Sequence, residues 1–535
     1  MRKKEVLVKM KRKAVFSVVL VILLSLILCS CGKNSTNLSY DIDTAPINLD
    51  PQSAYDYSSK LLINSLFEGL FRSGENGELE KAVCKEYTVS DDGKKYLFML
   101  RNDAKWSDGT DVTADDFVFA FKRLFDPATN SKSVDDFFCI LNSKEIFSGE
   151  MDNSELGVRA LSSYALEIKL SEYNSRFLHL LTTAPAMPCK EEFFLETKGK
   201  YGLSEKMICG NGPFYLSAWK DGYLKVSKNI QYNDAKNVRA DSVTFNILEE
   251  NEDKTKRFLD GKTSAVSTDK TMLKELSKNN VISNNENTVF GIVFKNTDSI
   301  FANNNIRKAL IYGSDYSSMQ KALPEYYTKA SAIVPSNIRI GEKSYRELAG
   351  SNLTVNYDKD KAKALYENGL SDLGVKKITD AVIIIPKGMG HEDYFAYLSQ
   401  IWQRDLGFYI TVQILEQDEY NKRFINGEYD CAVVSLNGDY NSPYAILSQF
   451  LSNSDKNVIG FSNAEFDKLL KEAVSYPDEN KASENYKKAE QILLTEGVFL
   501  PLYYQSEYFV TTKKMSLIRY DFDNKMVDFR MKKKD

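Results

Sequence analysis

Two histidines, His179 and His391, are the only imidazoles that this 535-residue chain offers for acid–base or metal chemistry. His391 and Glu392 begin the pattern of a zinc-protease helix, in which two histidines four residues apart bind the metal and the glutamate acts as general base. The second histidine of that pattern is replaced by Phe395. The pattern therefore fails, and the sequence predicts no metal site.

Two other fragments resemble parts of known catalytic or nucleotide-binding motifs. Gly261-Lys262-Thr263 matches the end of a phosphate-binding loop, but Lys256 stands where that loop needs its first glycine. Ser267 and Lys270 have the spacing found in penicillin-recognising enzymes, yet the other elements of that constellation are not evident, and a helix cap explains Ser267 equally well. We therefore expect that the protein is not an enzyme and holds no cofactor.

The polar loop from Asn437 to Pro443 is the best candidate for binding chemistry. It follows a predicted strand, at the end where ligands bind in α/β sheets, and it contains the carboxylate of Asp439. The alternative is that Asp439 only caps a helix that begins near Pro443. Asn437, Gly438 and Tyr440 complete the predicted ligand-binding residues of this loop.

Alternating strands and helices lead up to this loop. Hydrophobic periodicity predicts strands at 381–385, 409–415 and 429–436 and helices at 392–406 and 418–425. Strands and helices that alternate in this way form a mainly parallel sheet, in which ligands bind beyond the carboxyl ends of the strands. The polar loop begins at such an end.

A second well-marked unit lies between Leu97 and Pro127. An aromatic and aliphatic run at 96–100 predicts a strand, and Ser107-Asp108-Gly109 predicts a tight turn. Thr113 and Asp116 have the spacing of a helix-capping pair, and apolar residues then recur at helical spacing as far as Leu124. The unit is therefore a strand, a turn and an amphipathic helix.

Several short motifs in this order resemble the peptide/nickel family of extracytoplasmic solute-binding proteins, which feed ABC importers. The resemblance covers nearly all of residues 38–510. It is carried by Lys105-Trp106-Ser107-Asp108-Gly109 with Val112-Thr113-Ala114-Asp115-Asp116-Phe117, and by Leu49-Asp50-Pro51, Leu66-Phe67-Glu68-Gly69-Leu70, Gly210-Asn211-Gly212-Pro213-Phe214 and Ile306-Arg307-Lys308-Ala309-Leu310.

The resemblance implies an α/β, two-lobed fold like that of the periplasmic binding proteins, with an additional inserted lobe. Mixed sheets flanked by helices would form the lobes, and a hinge would join them. We expect a signal peptide at 1–30, a lipidated tether at 31–37, a basal lobe from 38–69, 188–288 and 506–535, an inserted lobe at 70–187 and a distal ligand-binding lobe at 289–505.

Peptide-binding members of this family hold the ligand's α-ammonium group with an aspartate in an Asp-Tyr-x-x-Pro loop, which matches Asp439 to Pro443. His391 lies eleven residues before Trp402, as does a histidine near the peptide carboxylate in some members; a solvent-facing histidine at a helix start is the alternative. Some relatives carry an arginine at the position of Val433 to bind that carboxylate. The resemblance thus implies strong recognition of the amino end of a peptide and weak recognition of the carboxyl end.

The N-terminus has the form of a lipoprotein signal sequence. Seven basic residues among the first thirteen precede an apolar run at 14–28, and Leu28-Cys29-Ser30-Cys31-Gly32 resembles a lipoprotein box with Cys31 as the lipidated residue. Cys29 fits less well because Leu28 would take the position of the small residue. An uncleaved anchor is the alternative, although about fifteen apolar residues are marginal for about 30 Å of hydrocarbon.

The charge of the chain limits the classes of partner that can be expected, and its cysteine content limits the disulfides. Removing residues 1–30 would take seven of the 70 basic residues but only one of the 74 acidic ones, so nucleic acid is not expected as a partner. The five cysteines that remain beyond the box lack a regular spacing. Buried free thiols are expected, and a disulfide between Cys189 and Cys209 stays open.

Together these patterns predict a lipoprotein that captures oligopeptides between two closing lobes and delivers them to the membrane subunits of an ABC permease. We expect a monomer, held at the outer face of the cytoplasmic membrane by its lipid. The alternative is the same fold with a non-peptide solute, such as a nickel chelate or an oligosaccharide.

Overall fold

The computed structural model describes residues 35–533 except 75, 76, 251, 269, 325, 326, 342, 390, 391, 439 and 476. The predicted signal peptide, Cys31, His391 and Asp439 therefore lie outside the described residues. Within that part of the chain, no helix combines the length and the apolar character needed to cross a bilayer.

The first sheet has four strands in the order β1-β10-β9-β8. Its first strand runs parallel to its neighbour and the other pairs are antiparallel. The strands are β1 (Asn37–Ile42), β8 (Phe214–Lys220), β9 (Tyr223–Lys228) and β10 (Ser242–Ile247).

The second sheet is a four-stranded antiparallel sheet in the order β4-β5-β7-β6. Its strands are β4 (Cys84–Val89), β5 (Lys95–Leu100), β6 (Val158–Ser162) and β7 (Ala165–Lys169), and a two-stranded ribbon of β2 (Phe71–Ser73) and β3 (Leu79–Lys81) precedes them.

The third sheet has seven strands in the order β11-β19-β12-β18-β16-β17, with β13 paired to β19. The predicted α/β strands are parallel to one another, but β12 pairs antiparallel with both β18 and β19. The sheet is therefore mixed rather than mainly parallel. Its strands are β11 (Ala265–Thr268), β12 (Asn280–Phe294), β13 (Thr328–Lys329), β16 (Ala381–Pro386), β17 (Ile410–Leu415), β18 (Cys431–Leu436) and β19 (Phe499–Thr512).

Two further two-stranded ribbons border the cavity that lies beside the 437–443 loop. One is formed by β14 (Arg339–Ile340) and β15 (Lys343–Ser344), and the other, near the C-terminus, by β20 (Arg519–Asp521) and β21 (Met526–Asp528).

The helices cover the faces of these sheets. In the first part of the chain they are α1 (Tyr57–Leu66), α2 (Ala114–Leu124), α3 (Ser143–Phe147), α4 (Phe177–Leu180), α5 (Glu191–Glu196) and α6 (Lys254–Leu259). The later helices are α7 (Asn304–Tyr312), α8 (Tyr316–Met319), α9 (Tyr345–Ala349), α10 (Lys359–Leu373), α11 (Asp393–Leu406), α12 (Gln417–Asn426), α13 (Pro443–Leu447), α14 (Ala464–Val474) and α15 (Glu479–Thr495).

The strand, turn and helix predicted around residues 97–127 are confirmed as β5, a turn and α2. The turn places Gly109 at a φ of 89°, which glycine adopts without the steric cost that a side chain would bring. The backbone N–H of Thr113 donates to the Asp116 carboxylate at 2.8 Å, as expected of the capping pair. The indole N–H of Trp106 donates to the same carboxylate at 3.3 Å and so joins the turn to the helix.

The packed core is divided between two parts of the chain. One cluster of buried apolar side chains unites residues 38–265 with 509–531, and two others are built only from residues between 289 and 504. Both β12 and β19 run from one part into the other, and their register shifts between Glu286 and Thr288.

The motifs that carry the family resemblance pack against one another. The side-chain amide of Asn211 donates to the carbonyl of Glu68 at 2.8 Å and accepts from the Glu68 N–H at 2.9 Å. A Cβ on Gly210 would lie 2.1 Å from the carbonyl oxygen of Leu66, so only glycine permits this approach. The motif at 210–214 therefore packs closely against the end of α1 and is hydrogen-bonded to the residues that follow it.

A buried ion pair joins another motif to α2. The Arg123 guanidinium donates to both carboxylate oxygens of Asp50, at 3.1 and 2.5 Å, and to the Gln52 side chain at 2.7 Å. It also donates to Cys189 Sγ at 3.4 Å. Cys189, Cys209 and the other three described cysteines are free thiols, so the disulfide left open by the sequence is not formed.

Replacing Arg123 with Leu should lower the free energy of unfolding by about 3–5 kcal/mol, because the Asp50 carboxylate would stay buried without its partner. Urea denaturation followed by tryptophan fluorescence measures the loss. The control is Lys387→Leu, which breaks an exposed ion pair with Glu416 and should cost less than about 1 kcal/mol. Equal losses in the two variants would contradict a special role for the buried pair.

Candidate ligand-binding site

The polar loop at 437–443 begins where β18 ends, as the sequence predicted. Ser442 is the N-cap of α13, and its hydroxyl accepts from the Tyr444 N–H at 3.2 Å. The helix is thus capped by Ser442, which weakens the alternative that Asp439 is present to cap it. A Cβ on Gly438 would lie 2.7 Å from that of Ala445, so this glycine lets the loop lie close against the helix.

The loop borders a cavity to which several distant parts of the chain contribute. Tyr440, Asn441 and Ser442 come from the loop, and Arg339 to Gly341 come from the β14–β15 ribbon. The rest of the lining comes from Ser73, the segment 173–179, the turn between β20 and β21, and the residues Ala473, Pro477, Glu479, Ala482 and Tyr486. A concave space with a few polar groups on its walls, contributed by several elements, is typical of a small-molecule or peptide site.

Asn441 links the loop to two of the other walls. Its side-chain N–H group donates to the two carboxylate oxygens of Asp523, at 3.0 and 3.2 Å. Its side-chain oxygen accepts from the backbone N–H of Arg339 at 2.7 Å. Sequence reasoning did not select Asn441, because nothing in the local pattern shows that the C-terminal turn would lie opposite it.

Asp523 is the carboxylate that the C-terminal turn contributes to this cavity. Burial, together with the neighbouring charge of Asp521, raises its pKa to about 7. Asp521 also has a raised pKa because it is buried, and it accepts from the backbone N–H groups of Asp523 and Asn524 at 3.0 and 3.2 Å. The turn therefore keeps its shape through Asp521, while Asp523 faces the loop.

Tyr440 contacts the opposite wall through its ring. The guanidinium carbon of Arg176 lies 3.8 Å from the centre of that ring, within the range of a cation–π interaction. Arg176 also donates to Asp136 at 2.9 Å. The structure thus brings Tyr440, Asn441 and Arg176 together at one site.

Asn437 borders a different cavity, of about 610 Å³, which it shares with Lys525, Glu507 and Gln505. The C-terminal turn contributes to both cavities, since Asn524 lines the first and Lys525 the second. Asn437 and Tyr440 are therefore neighbours in the loop but border separate cavities.

Val433 and Leu436 occupy the packed core of the sheet. Val433 is 1% exposed, and its carbonyl accepts from the Tyr420 hydroxyl at 2.6 Å. The position at which some relatives carry arginine therefore does not border the cavity in this chain. His179, which the sequence gave no reason to select, lines the cavity instead, and burial and the charges of Arg339 and Arg176 lower its pKa.

Among the described residues, no group of three or more His, Cys, Asp or Glu side chains is arranged to hold a metal ion.

Asp523→Asn should change how stability depends on pH. The native pKa of about 7 lies above the ordinary value of 3.8, so the native state keeps a proton that the unfolded chain has already released. The contribution of Asp523 to stability thus falls as the pH rises from about 4 to about 7 and is then constant. The stability of the variant does not contain this decrease. As the pH rises from about 4 to about 7, the melting temperature of the variant should therefore rise relative to that of wild type.

Differential scanning fluorimetry between pH 4 and 8 measures this difference. Asp135→Asn, at an exposed position, is the matched control and should follow the wild-type curve. If the melting temperature of Asp523→Asn also changes with pH in parallel with that of wild type, the pKa of Asp523 is not raised.

Comparison with known proteins identifies the fold. The family model described as "Bacterial extracellular solute-binding proteins, family 5 Middle" matches residues 78–458. The chain is 28% identical to the oligopeptide-binding protein OppA of Bacillus subtilis, over 93% of this chain and 95% of that protein.

Two solved structures are similar along nearly their whole length. The unliganded open form of the periplasmic murein tripeptide-binding protein MppA superposes with a TM-score of 0.72 at 26% identity, covering 90% of this chain and 93% of that one. Peptide-bound OppA of Listeria monocytogenes gives a TM-score of 0.63 at 25% identity, covering 93% and 99%. The α/β fold with mixed sheets and the family inferred from the sequence motifs are thus confirmed. The chain belongs to family 5 of the bacterial extracellular solute-binding proteins.

Proposed function

We propose that this protein binds oligopeptides in the cavity beside the 437–443 loop and delivers them to the permease of an ABC importer. The observation that supports this most is the position of the loop. Three described residues of its Asp-Tyr-x-x-Pro motif, Tyr440, Asn441 and Ser442, line a cavity to which several distant parts of the chain contribute. Relatives named for oligopeptide binding, over nearly the same length, support the same assignment.

Asp439 is the proposed partner of the ligand's ammonium group. Its neighbour Tyr440 lines the cavity, and Ser442 already caps the following helix. A peptide amino group that enters this space loses its water and needs a carboxylate in exchange. Tyrosine rings beside it, at Tyr173, Tyr440 and Tyr486, offer flat apolar faces with polar tips to side chains of different kinds.

Motion between the two parts of the core would open and close the site. Only a few segments join these parts, and β12 and β19 are the longest of them. The register shift at Glu286 and Thr288 interrupts the ladder between those strands at the point where they pass from one core to the other. A β-bulge bends and twists a strand locally, so this point is the proposed hinge of the two lobes.

The protein is proposed to be a lipoprotein attached through Cys31. This rests on the basic start, the apolar run and the Leu-Cys-Ser-Cys-Gly sequence at 28–32. The lipid would hold the binding lobes on a short tether beside the permease, at the outer face of the cytoplasmic membrane.

Native mass spectrometry of protein purified without denaturation is the first test, because a tightly held ligand appears as added mass. A retained mass that fragments as a peptide supports the proposal. A retained sugar or metal chelate, or failure to bind any member of a pool of two- to nine-residue peptides in calorimetry, would overturn it.

Asp439→Ala should then reduce affinity for a bound peptide by a hundredfold or more, since losing one partner of a buried pair costs about 3–5 kcal/mol. N-acetylation of the peptide should do similar damage to wild-type binding, because it removes the other charge. Asp418→Ala, an exposed aspartate on α12, is the matched control and should bind normally. An acetylated peptide that binds as well as the free one would contradict the role of Asp439.

Cys31→Ala should release the protein from the membrane fraction into the medium or periplasm, because the thiol that carries the lipid is lost. Cys29→Ala should leave the protein attached. Immunoblots of fractionated cells decide the matter, and membrane retention of Cys31→Ala would point to an uncleaved anchor.

A further inference from the structure

The side-chain amide of Asn441 is bound by other parts of the protein through each of its polar atoms. Its NH₂ group donates to the carbonyl of Asn337 at 3.3 Å and to the two carboxylate oxygens of Asp523 at 3.0 and 3.2 Å. Its oxygen accepts from the backbone N–H of Arg339 at 2.7 Å. A primary amide has one nitrogen donor group and one acceptor oxygen, and both have protein partners here. A contribution of Asn441 to binding therefore does not require contact with the ligand.

The partners of Asn441 lie on separate elements. Asn337 and Arg339 are 104 and 102 positions before it, at the start of β14, whereas Asp523 is 82 positions after it, in the turn between β20 and β21. That turn packs with the core cluster that unites residues 38–265 with 509–531, and the 437–443 loop follows a strand of the other part. One side chain thus joins three elements and both parts of the core.

The turn that carries Asp523 keeps its shape without help from the loop. Asp521 accepts from the backbone N–H groups of Asp523 and Asn524 at 3.0 and 3.2 Å, and from the Asn524 side chain at 2.8 Å. The Asn524 side chain also donates to the Thr182 hydroxyl at 3.4 Å. The turn is therefore a fixed support, and we expect the loop to be the element that moves when the Asn441–Asp523 pair is lost.

Gly77, which lies between β2 and β3, packs directly over this pair. Its φ is 74°, and a Cβ there would lie 1.9 Å from a carboxylate oxygen of Asp523 and 3.8 Å from the amide nitrogen of Asn441. Glycine is the residue that allows the backbone to come this close. A hydrogen bond to a carboxylate that is covered in this way is stronger than one exposed to water, because water competes less for either group.

The residues on either side of Asn441 line the cavity. Tyr440 places its ring 3.8 Å from the guanidinium carbon of Arg176, and Ser442 caps α13. Consecutive Cα atoms lie about 3.8 Å apart, so a fixed Asn441 leaves both neighbours little freedom. The position of the loop wall of the cavity thus follows from the Asn441–Asp523 pair.

We propose that Asn441 is a positioning residue of the ligand site, which holds the 437–443 loop against the C-terminal turn through Asp523. The proposal rests on the function proposed above and adds to it a requirement for one arrangement of the loop. A site that is in its competent arrangement only part of the time has an apparent affinity lowered by that fraction. Loss of the pair should therefore weaken ligand binding although no ligand contact is removed.

Reversing the pair tests the proposal. Asn441→Asp places a second carboxylate opposite Asp523, and at pH 8, above the Asp523 pKa of about 7, the two should repel each other. In the double variant Asn441→Asp/Asp523→Asn, an amide again faces a carboxylate, with donor and acceptor exchanged. Calorimetry uses the tightest-binding member of a pool of two- to nine-residue peptides. Affinity should fall about ten- to a hundredfold in the single variant, as for a lost hydrogen bond to a charged group, and largely return in the double variant.

Hydrogen exchange of the ligand-free proteins gives a readout that needs no ligand. Exchange across 437–445 should be faster in Asn441→Asp than in wild type and should slow again in the double variant. Exchange across 521–528 should stay unchanged, because the N–H groups of Asp523 and Asn524 remain bound to Asp521.

Asn305→Asp is the matched control. The Asn305 amide also donates to a carboxylate, that of Asp372, at 2.9 Å, but neither residue lines the cavity. This variant should bind peptide and exchange across 437–445 as wild type does. Asn441→Ala removes the amide without adding a charge and should also weaken binding; it takes the place of Asn441→Asp if melting curves show that the latter is unfolded.

Two results would overturn the proposal. If the Asn441 variants bind peptide as tightly as wild type, or exchange across 437–445 at the wild-type rate, the pair does not position the loop. If the double variant loses as much affinity as Asn441→Asp while it melts like wild type, Asn441 does not act through Asp523. A wild type that binds no peptide of the pool is a different failure, because it removes the function proposed above, while the exchange rates still decide whether Asn441 holds the loop.

Discussion

The antiparallel ladder between β12 and β19 is the constraint on which the rest of the structure depends. These strands have 15 and 14 residues, longer than most strands in globular proteins, and they are paired from Asn280–Thr512 to Val293–Phe499. One half of the ladder pairs with β11 beside the first core, and the other half pairs with β18 beside the other two. A single pair of strands thus joins the two parts of the protein, and its register shifts between Glu286 and Thr288 and again between Phe290 and Gly291.

The cavity beside the 437–443 loop follows from this arrangement because both parts contribute residues to its lining. The loop after β18 comes from the part between 289 and 504, while the segment 173–179 and the turn after β20 come from the other part. Asn441 joins them through Asp523, and Tyr440 joins them through Arg176. The lining of the cavity therefore depends on how the two parts are placed relative to each other.

The sequence motifs that identify the family stabilise this frame and do not form the cavity. Asp50 forms an ion pair with Arg123, and the side chain of Asn211 is hydrogen-bonded to the backbone of Glu68. Arg307 donates to the carbonyls of Ala302 and Glu496, each at 3.1 Å. The side chains of Asp50, Arg123, Asn211 and Arg307 are buried, where an unpaired polar group would lower the free energy of unfolding.

The sequence by itself determined the local elements and the family. Periodicity and capping predicted α2 with its Thr113–Asp116 pair, the strands at 381–385 and 409–415, and the loop that follows β18, because each depends on residues only a few positions apart. Only the tertiary structure decided that the third sheet is mixed, that Val433 is buried, and that Asn441, Asp523, Arg176 and His179 share one cavity. These residues are separated by up to several hundred positions, and the pattern of each segment alone carries no signal of its partners. Their meeting is set by strand order and by the long β12–β19 ladder, which arise from packing between distant parts of the chain.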